Sequence, residues 1–320
     1  MASLKNIKLK IHSVKKTATV TRAMEAVSAV KMRKSQERAL GSRAYAAAAL
    51  SVLERLAGTA EVARHPLLNE QGLSTSSDTA QGKSRGVNKT AILVITSDKG
   101  LAGSLNSAVI RKAEQEISSR GLNKNDVIMM AIGRRGGDYF ANRGYDVRIK
   151  HENVSDGISE EDIREVTNTL LKWHAAGEIG KAIIVYQNFL STFEQQPSVR
   201  QIIPITRETM REMVKGIRPA RGKYAPQHEE KPHYPASYTI EPDADVVLEA
   251  LLPKLLNISI FHALLENKAS EHSARMVAMK SATDKAKEMV KDLTRTFNKI
   301  RQAAITREVS EITSGIEAMR

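Results

Sequence analysis

The residue types that could do chemistry in this chain are spaced to do little of it. Gly100 and Gly103 follow a short apolar run and precede a helical pattern, the place a phosphate-binding turn occupies in α/β proteins. Their spacing is GxxG, with neither GxGxxG nor a Walker GK[ST]. A tight strand-to-helix turn is the better reading, with Ser97 and Asp98 as helix caps. The isolated chain is expected to bind no nucleotide. The 8 histidines are scattered, with no HExxH or comparable pair, so no metal site is inferred. No Ser/His/Asp arrangement is visible. With 0 cysteines there is no thiolate ligand, disulfide or thiol nucleophile. The expectation is a chain without catalytic, cofactor-binding or metal-binding residues.

The elements around these residues are more informative. The 320 residues are 41% apolar but only 4% aromatic, and rich in Ala, Lys, Arg and Glu, which leans toward long helices. Residues 4–57 contain no proline, and no glycine before Gly41. Leu4, Ile7, Ile11, Val14 and Ala18 alternate steps of three and four, a coiled-coil seam. The pattern then becomes small and mixed through Met24, Val27, Val30, Ala44 and Ala48. From Lys254 to Ser314 there are 61 residues without Gly or Pro. Met276, Met279, Thr283, Ala286, Val290, Leu293, Phe297, Ile300 and Ala304 keep the same alternation. After a one-residue shift it resumes at Ile305, Val309, Ile312, Ile316 and Met319. A sustained 3.5-residue period predicts a left-handed supercoil with another helix.

Between the ends the period changes. Thr90–Thr96, Val127–Gly133, Asp146–Lys150, Lys181–Phe189 and Val199–Ile205 read as strands. Residues 104–120, 134–143 and 159–176 read as helices between them. The alternation predicts a Rossmann-like α/β domain with a mostly parallel sheet. Residues 66–89 read as a loop, and 207–237 as a basic surface insertion. The expected organisation is an N-terminal coiled-coil helix over 1–60, a loop over 61–89, the α/β domain over 90–206, a basic linker over 207–240 and a C-terminal coiled-coil helix over 241–320. The chain leaves one helix, makes the domain and returns, so the two end helices are expected to pair antiparallel. The C-terminal one is longer, so its apolar tip needs cover from another protein.

Charge narrows the partner. The net charge is +13, and residues 1–57 carry 12 Lys/Arg against 3 Glu, a net of +9. The stretch 243–320 carries 12 against 11 and is close to neutral. A basic rod suits nucleic acid, a solvated face or an acidic protein partner. No run of 18 apolar residues crosses a bilayer, and the N-terminus lacks an apolar signal core.

Four blocks carry a family resemblance. Thr21–Val27 (TRAMEAV) with Lys31–Gln36 (KMRKSQ) resembles the N-terminal signature of ATP synthase gamma subunits. Ile95–Asn106 (ITSDKGLAGSLN) is similar to the family's TSDRGLCGGLN segment, with Ala102 in place of Cys and Ser104 in place of Gly. The run from Glu266 (ENKASEHSARMVAMKSATDKAKEMV) and the run Asn298–Ile312 follow in the family's order.

The resemblance implies a rotor shaft: an antiparallel coiled coil inside a hexamer of alpha and beta subunits. The central domain would rest on the membrane c-ring beside the epsilon subunit, one copy per complex, at the cytoplasmic side of a bacterial inner membrane. It further implies that Met24 and the cluster Lys31, Arg33 and Lys34 meet an acidic loop of beta. Arg301, Gln302, Thr306 and Glu308 would meet a catch loop of beta, and Ile312, Ile316 and Met319 would turn in an apolar collar. Catalysis would belong to the complex and not to this chain. Two alternatives compete: a basic coiled coil that binds nucleic acid, and a small nucleotide-using α/β enzyme.

Overall fold

The computed structural model describes residues 4–56, 89–205, 209 and 243–319. The expected loop and basic insertion therefore lie outside the described residues, apart from Lys89 and Thr209. Helix α1 spans Leu4–Leu56. The central elements are β1 (Lys89–Ile95), α2 (Leu105–Ser119), β2 (Val127–Ile132), α3 (Arg134–Asn142), β3 (Asp146–His151), α4 (Glu160–Ala175), β4 (Ile179–Phe189) and β5 (Gln195–Ile203). Helix α5 spans Ala244–Ala318. Two compact units result: Met1–Val30 with Arg275–Arg320, and Lys31–Ala274.

In the second unit the sheet order is β3-β2-β1-β4-β5, with β5 alone antiparallel to its neighbour. The continuous apolar run of β1 follows from burial on both faces. Ala91, Leu93 and Ile95 face a core completed by Ile163, Val166 and Leu170 of α4 and by Leu256, Ile260 and Leu264 of α5. Ile92 and Val94 face the opposite core, with Val109, Ile110, Ala113 and Ile117 of α2 and Phe140 of α3. The period of two along one strand thus builds two apolar layers.

One stretch of α5 is long and apolar enough to cross a bilayer by length and composition. Its Leu256, Ile260, Ala263 and Leu264 are core residues packed on the sheet, which accounts for that hydropathy. The helix begins well before Lys254 and runs through Pro253. The expected start of β5 at Val199 is four residues late. Gln195–Ser198 pair with Tyr186–Phe189 despite Pro197, which sits on an edge strand where a missing N–H is tolerated.

The turn after β1 braces the sheet against α3. Asp98 Oδ1 accepts from the Arg134 amide at 3.0 Å, the Ser97 carbonyl from the Arg135 amide at 3.2 Å and Thr96 Oγ1 from the Gly136 amide at 2.9 Å. These are the orphan donors of a helix N-terminus. Ser97 and Asp98 were expected to cap the helix that follows them. Asp98 instead caps α3, and the N-cap of α2, Ser104, makes no side-chain cap bond. Ser97 staples itself to the first turn of α2: its amide donates to Asn106 Oδ1 at 2.9 Å, and Asn106 Nδ2 donates to Ser97 Oγ at 2.8 Å. Gly133 has φ +97°, and a Cβ there would lie 2.2 Å from the Thr96 carbonyl oxygen. Only glycine permits that approach.

Candidate partner-binding surfaces

In the first unit the two helices meet along the expected seam. Thr21 Oγ1 and Thr283 Oγ1 lie 2.6 Å apart, both buried. Stepping from that bond by equal counts in opposite directions brings Ala18 level with Ala286, Val14 with Val290, Ile11 with Leu293, Ile7 with Phe297 and Leu4 with Ile300. In the other direction Glu25 comes level with Met279 and Ser28 with Met276. Every one of these residues is buried or half-buried. The shared 3.5-residue period and this single register make the pair antiparallel.

The seam was only partly readable. Thr21, Ser28 and Ser35 hold buried positions, and Val27 and Val30, read as part of the pattern, are exposed at 55% and 59%. A hydroxyl bonded within the helix or across it fits a narrow seam as well as a methyl does. Thr283 Oγ1 donates to the Met279 carbonyl at 2.8 Å, which leaves the Thr21 hydroxyl to donate across the seam.

Past Ala304 the seam has no counterpart among the described residues. Ile305, Val309, Ile312, Ile316 and Met319 are all exposed, Met319 at 86%. Arg301, Gln302, Thr306 and Glu308 are exposed too. Thr306 Oγ1 donates to the Gln302 carbonyl at 2.9 Å, and Arg307 Nε pairs with Glu311 Oε1 at 3.4 Å, so polar groups here bond along their own helix. Gly315 sits among them with nothing near the position of a Cβ. On α1, Lys5, Lys8, Leu9, Ile11, His12 and Lys15 line a groove of about 360 Å³, cationic at its rim.

The basic cluster is divided. Met24 is half-buried beside the seam, while Arg33 and Lys34 are exposed. Lys31 is committed inside the molecule: its Nζ lies 2.8 Å from Asp156 Oδ2, with its side chain 48% exposed. Asp156 also meets His272 Nε2 at 2.9 Å and Lys268 Nζ at 3.7 Å. The bond to His272, then the one to Lys31, hold its carboxyl well below the usual carboxylate range despite partial burial. Sequence reasoning passed over Asp156, because nothing local marks a lone loop carboxylate 116 residues from its histidine partner.

The block from Glu266, read as a family signature, is a joint between helix and sheet. Strand β4 runs beyond the end of β1, whose last paired residue on that side is Val94 opposite Val185. Gln187 therefore needs other partners. Asn267 Oδ1 accepts its amide at 3.1 Å, and Ser270 Oγ donates to its carbonyl at 3.2 Å. Nearby, Arg200 Nη2 donates to the Tyr186 hydroxyl at 2.6 Å, and Tyr186 in turn bonds Glu266. Burial first, and then the Glu266 carboxylate, push the Tyr186 hydroxyl pKa far up, against the pull of Arg200. Ser273 Oγ donates to the Thr192 carbonyl at 2.6 Å. Among the described residues no cluster of His, Cys, Asp and Glu has the make-up of a metal site.

Comparison with known proteins places the chain in a family. A family model described as ATP synthase matches residues 3–319. The ATP synthase gamma chain of Heliobacterium modesticaldum is 36% identical over 319 residues, covering 100% of both chains. That of Pelotomaculum thermopropionicum gives the same identity and coverage. That of Roseiflexus castenholzii is 36% identical, covering 100% of this chain and 99% of its own. Among solved structures, a chain of the Euglena gracilis mitochondrial ATP synthase (OSCP/F1/c-ring, rotational state 3) superposes with TM-score 0.60 at 15% identity, covering 99% of this chain and 94% of its own. A chain of the Tetrahymena thermophila mitochondrial ATP synthase central stalk and c-ring gives TM-score 0.56 at 21% identity, covering 82% and 99%. At such identities the likeness shows the fold. Neither the nucleic-acid reading nor the nucleotide-enzyme reading finds support among these matches.

Proposed function

The chain belongs to the ATP synthase gamma family, and on that premise we propose that it is the central rotor shaft of a rotary F-type ATP synthase, without an active site of its own. It couples ion-driven rotation of a membrane c-ring to the catalytic sites of beta subunits. The observation that carries this reading is the apolar stripe from Ile305 to Met319, exposed where the coiled coil has no further counterpart among the described residues. Such a stripe needs a housing supplied by other chains. Apolar contact is non-directional, so it tolerates turning where fixed ion pairs resist it. Within that housing Ile312, Ile316 and Met319 act as the bearing. Arg301, Gln302, Thr306 and Glu308 present polar groups to a loop of beta.

Met24, Arg33 and Lys34 form the second contact, toward an acidic surface of beta. Lys31 contributes to it only with the charge left over from Asp156. The alpha and beta subunits form the collar, and the epsilon subunit and the c-ring flank the α/β domain. The location that follows is the cytoplasmic face of a bacterial inner membrane. A shaft changes the states of its neighbours by touching them unequally, so its contribution is differential contact and not chemistry.

The test is co-purification of the full chain with alpha and beta subunits, followed by observation of rotation under ATP. Assembly into a hexamer whose bound shaft turns on adding ATP is expected. A chain that fails to join the hexamer, or that hydrolyses ATP alone, refutes the reading. Removing the residues after Ser310 isolates the bearing: coupling and assembly that survive the cut unchanged rule it out.

A further inference from the structure

Two residues from each long helix converge on one loop of the α/β domain, the connection between β3 and α4. From α1, Lys31 Nζ pairs with Asp156 Oδ2 at 2.8 Å, and Arg38 Nη1 donates to the Asp156 carbonyl at 2.8 Å. From α5, His272 Nε2 meets Asp156 Oδ1 at 2.9 Å, and Lys268 lies 3.7 Å from the same oxygen while donating to the Val154 carbonyl at 2.6 Å. All five residues belong to the unit Lys31–Ala274.

The two helices depend on this loop differently. Helix α5 is also packed on the sheet through Leu256, Ile260, Ala263 and Leu264. None of the described side chains of α1 belongs to either apolar cluster of the sheet. Apolar packing resists separation but sets no direction, whereas short charge-assisted hydrogen bonds fix an angle. At Asp156 one carboxylate uses different oxygens for different helices, so turning either helix about its axis breaks a bond on one side of it. His272 is buried and Asp156 is two-thirds covered, which limits screening by solvent.

We propose that Asp156 is a positioning residue that clamps both long helices to the α/β domain against twist, so that turning force applied to the domain reaches the coiled coil without slip. The clamp rests on the rotor-shaft reading and adds to it the place where the domain grips the shaft. In a reconstituted membrane complex carrying Asp156→Asn, assembly and unloaded ATP hydrolysis are expected to match the parent. Ions moved per ATP are expected to fall several-fold. The torsional stiffness of the shaft, read from single-molecule angular fluctuations, is expected to drop with it. Asp156→Glu should restore most of both.

Parent-like stiffness and transport in the Asn variant overturn the clamp. So does an equal loss in the Asn and Glu variants, which would make shape and not charge the cause. Should the Asn complex fail to assemble, Lys31→Met keeps the α5 partners of Asp156, and unchanged stiffness there overturns the proposal. A parent complex that assembles but does not rotate counts against the shaft reading itself, and the clamp falls with it.

Discussion

Helix α5 is one continuous element whose two ends are built on opposite rules. Around residues 262–273 its polar side chains reach into the rest of the chain, to Gln187, Tyr186, Thr192, Val154 and Asp156. From Ile305 to Met319 the polar side chains bond along the helix itself among the described residues, and the apolar ones are exposed. The first end has used its directional groups to fix a position. The second leaves its apolar surface exposed. Residues closest to the family pattern around Glu266 therefore serve architecture.

Breaking the fixed end should cost most. Ile260→Ala empties a wholly buried core site, and a loss of about 2–5 kcal/mol in the unfolding free energy of the full chain is expected by denaturant titration. Asn267→Ala removes the acceptor for the buried Gln187 amide and should cost about 1–3 kcal/mol in the same measurement. Both should lower Tm before any partner is added. If either leaves Tm unchanged, the joint is not where the fold is held.

The seam lies between the extremes. Thr21→Val or Thr283→Val alone should cost about 1 kcal/mol, and the double variant less than the two together, because both hydroxyls of the pair are then gone. Strict additivity would show that the pair does not interact. At the free end, Ile312→Ser with Ile316→Ser should change the isolated chain by less than about 0.5 kcal/mol while weakening capture by the alpha and beta hexamer. A large loss of stability in the isolated chain would mean that the stripe is covered internally.

The smallest effect is on pH. The Asp156 carboxyl titrates lower in the fold than its ordinary 3.8, so the unfolded chain takes up that proton first as pH falls. Its stabilisation is complete above that value and fades as pH drops below it. Acid titration of Asp156→Asn should show a shallower loss of stability in that window than the parent.

The sequence disclosed whatever depends on period. Both seams, the alternating strands and helices, and the bare tip follow from spacing that burial imposes on neighbours a few residues apart. What stayed hidden depends on pairs far apart in the chain. Asp98 caps a helix 36 residues away, and no local cue separates that from capping the next one. Thr21 and Ser28 sit in the seam because a partner helix brings small groups opposite them, while Val27 and Val30 look like core by type alone. Residues 195–198 fall outside the strand expected from Val199 because Gln-Gln-Pro lacks strand character, and only β4 alongside makes them a strand. For the candidate surfaces, resemblance supplied the residues, and the coordinates separated Lys31 from Arg33 and Lys34.

Gly315 gives the free end a consequence of its own. The last turns extend α5 with no helix alongside them among the described residues, and a glycine in their interior weakens them by about 1 kcal/mol against alanine. The final turns are then cheap to melt and cheap to wind. An extremity with that character can enter a confined opening before it is fully formed and take its final order from the walls. Gly315→Ala would deliver a pre-wound end, so the kinetics of insertion, more than the strength of the finished assembly, are where this position makes itself felt.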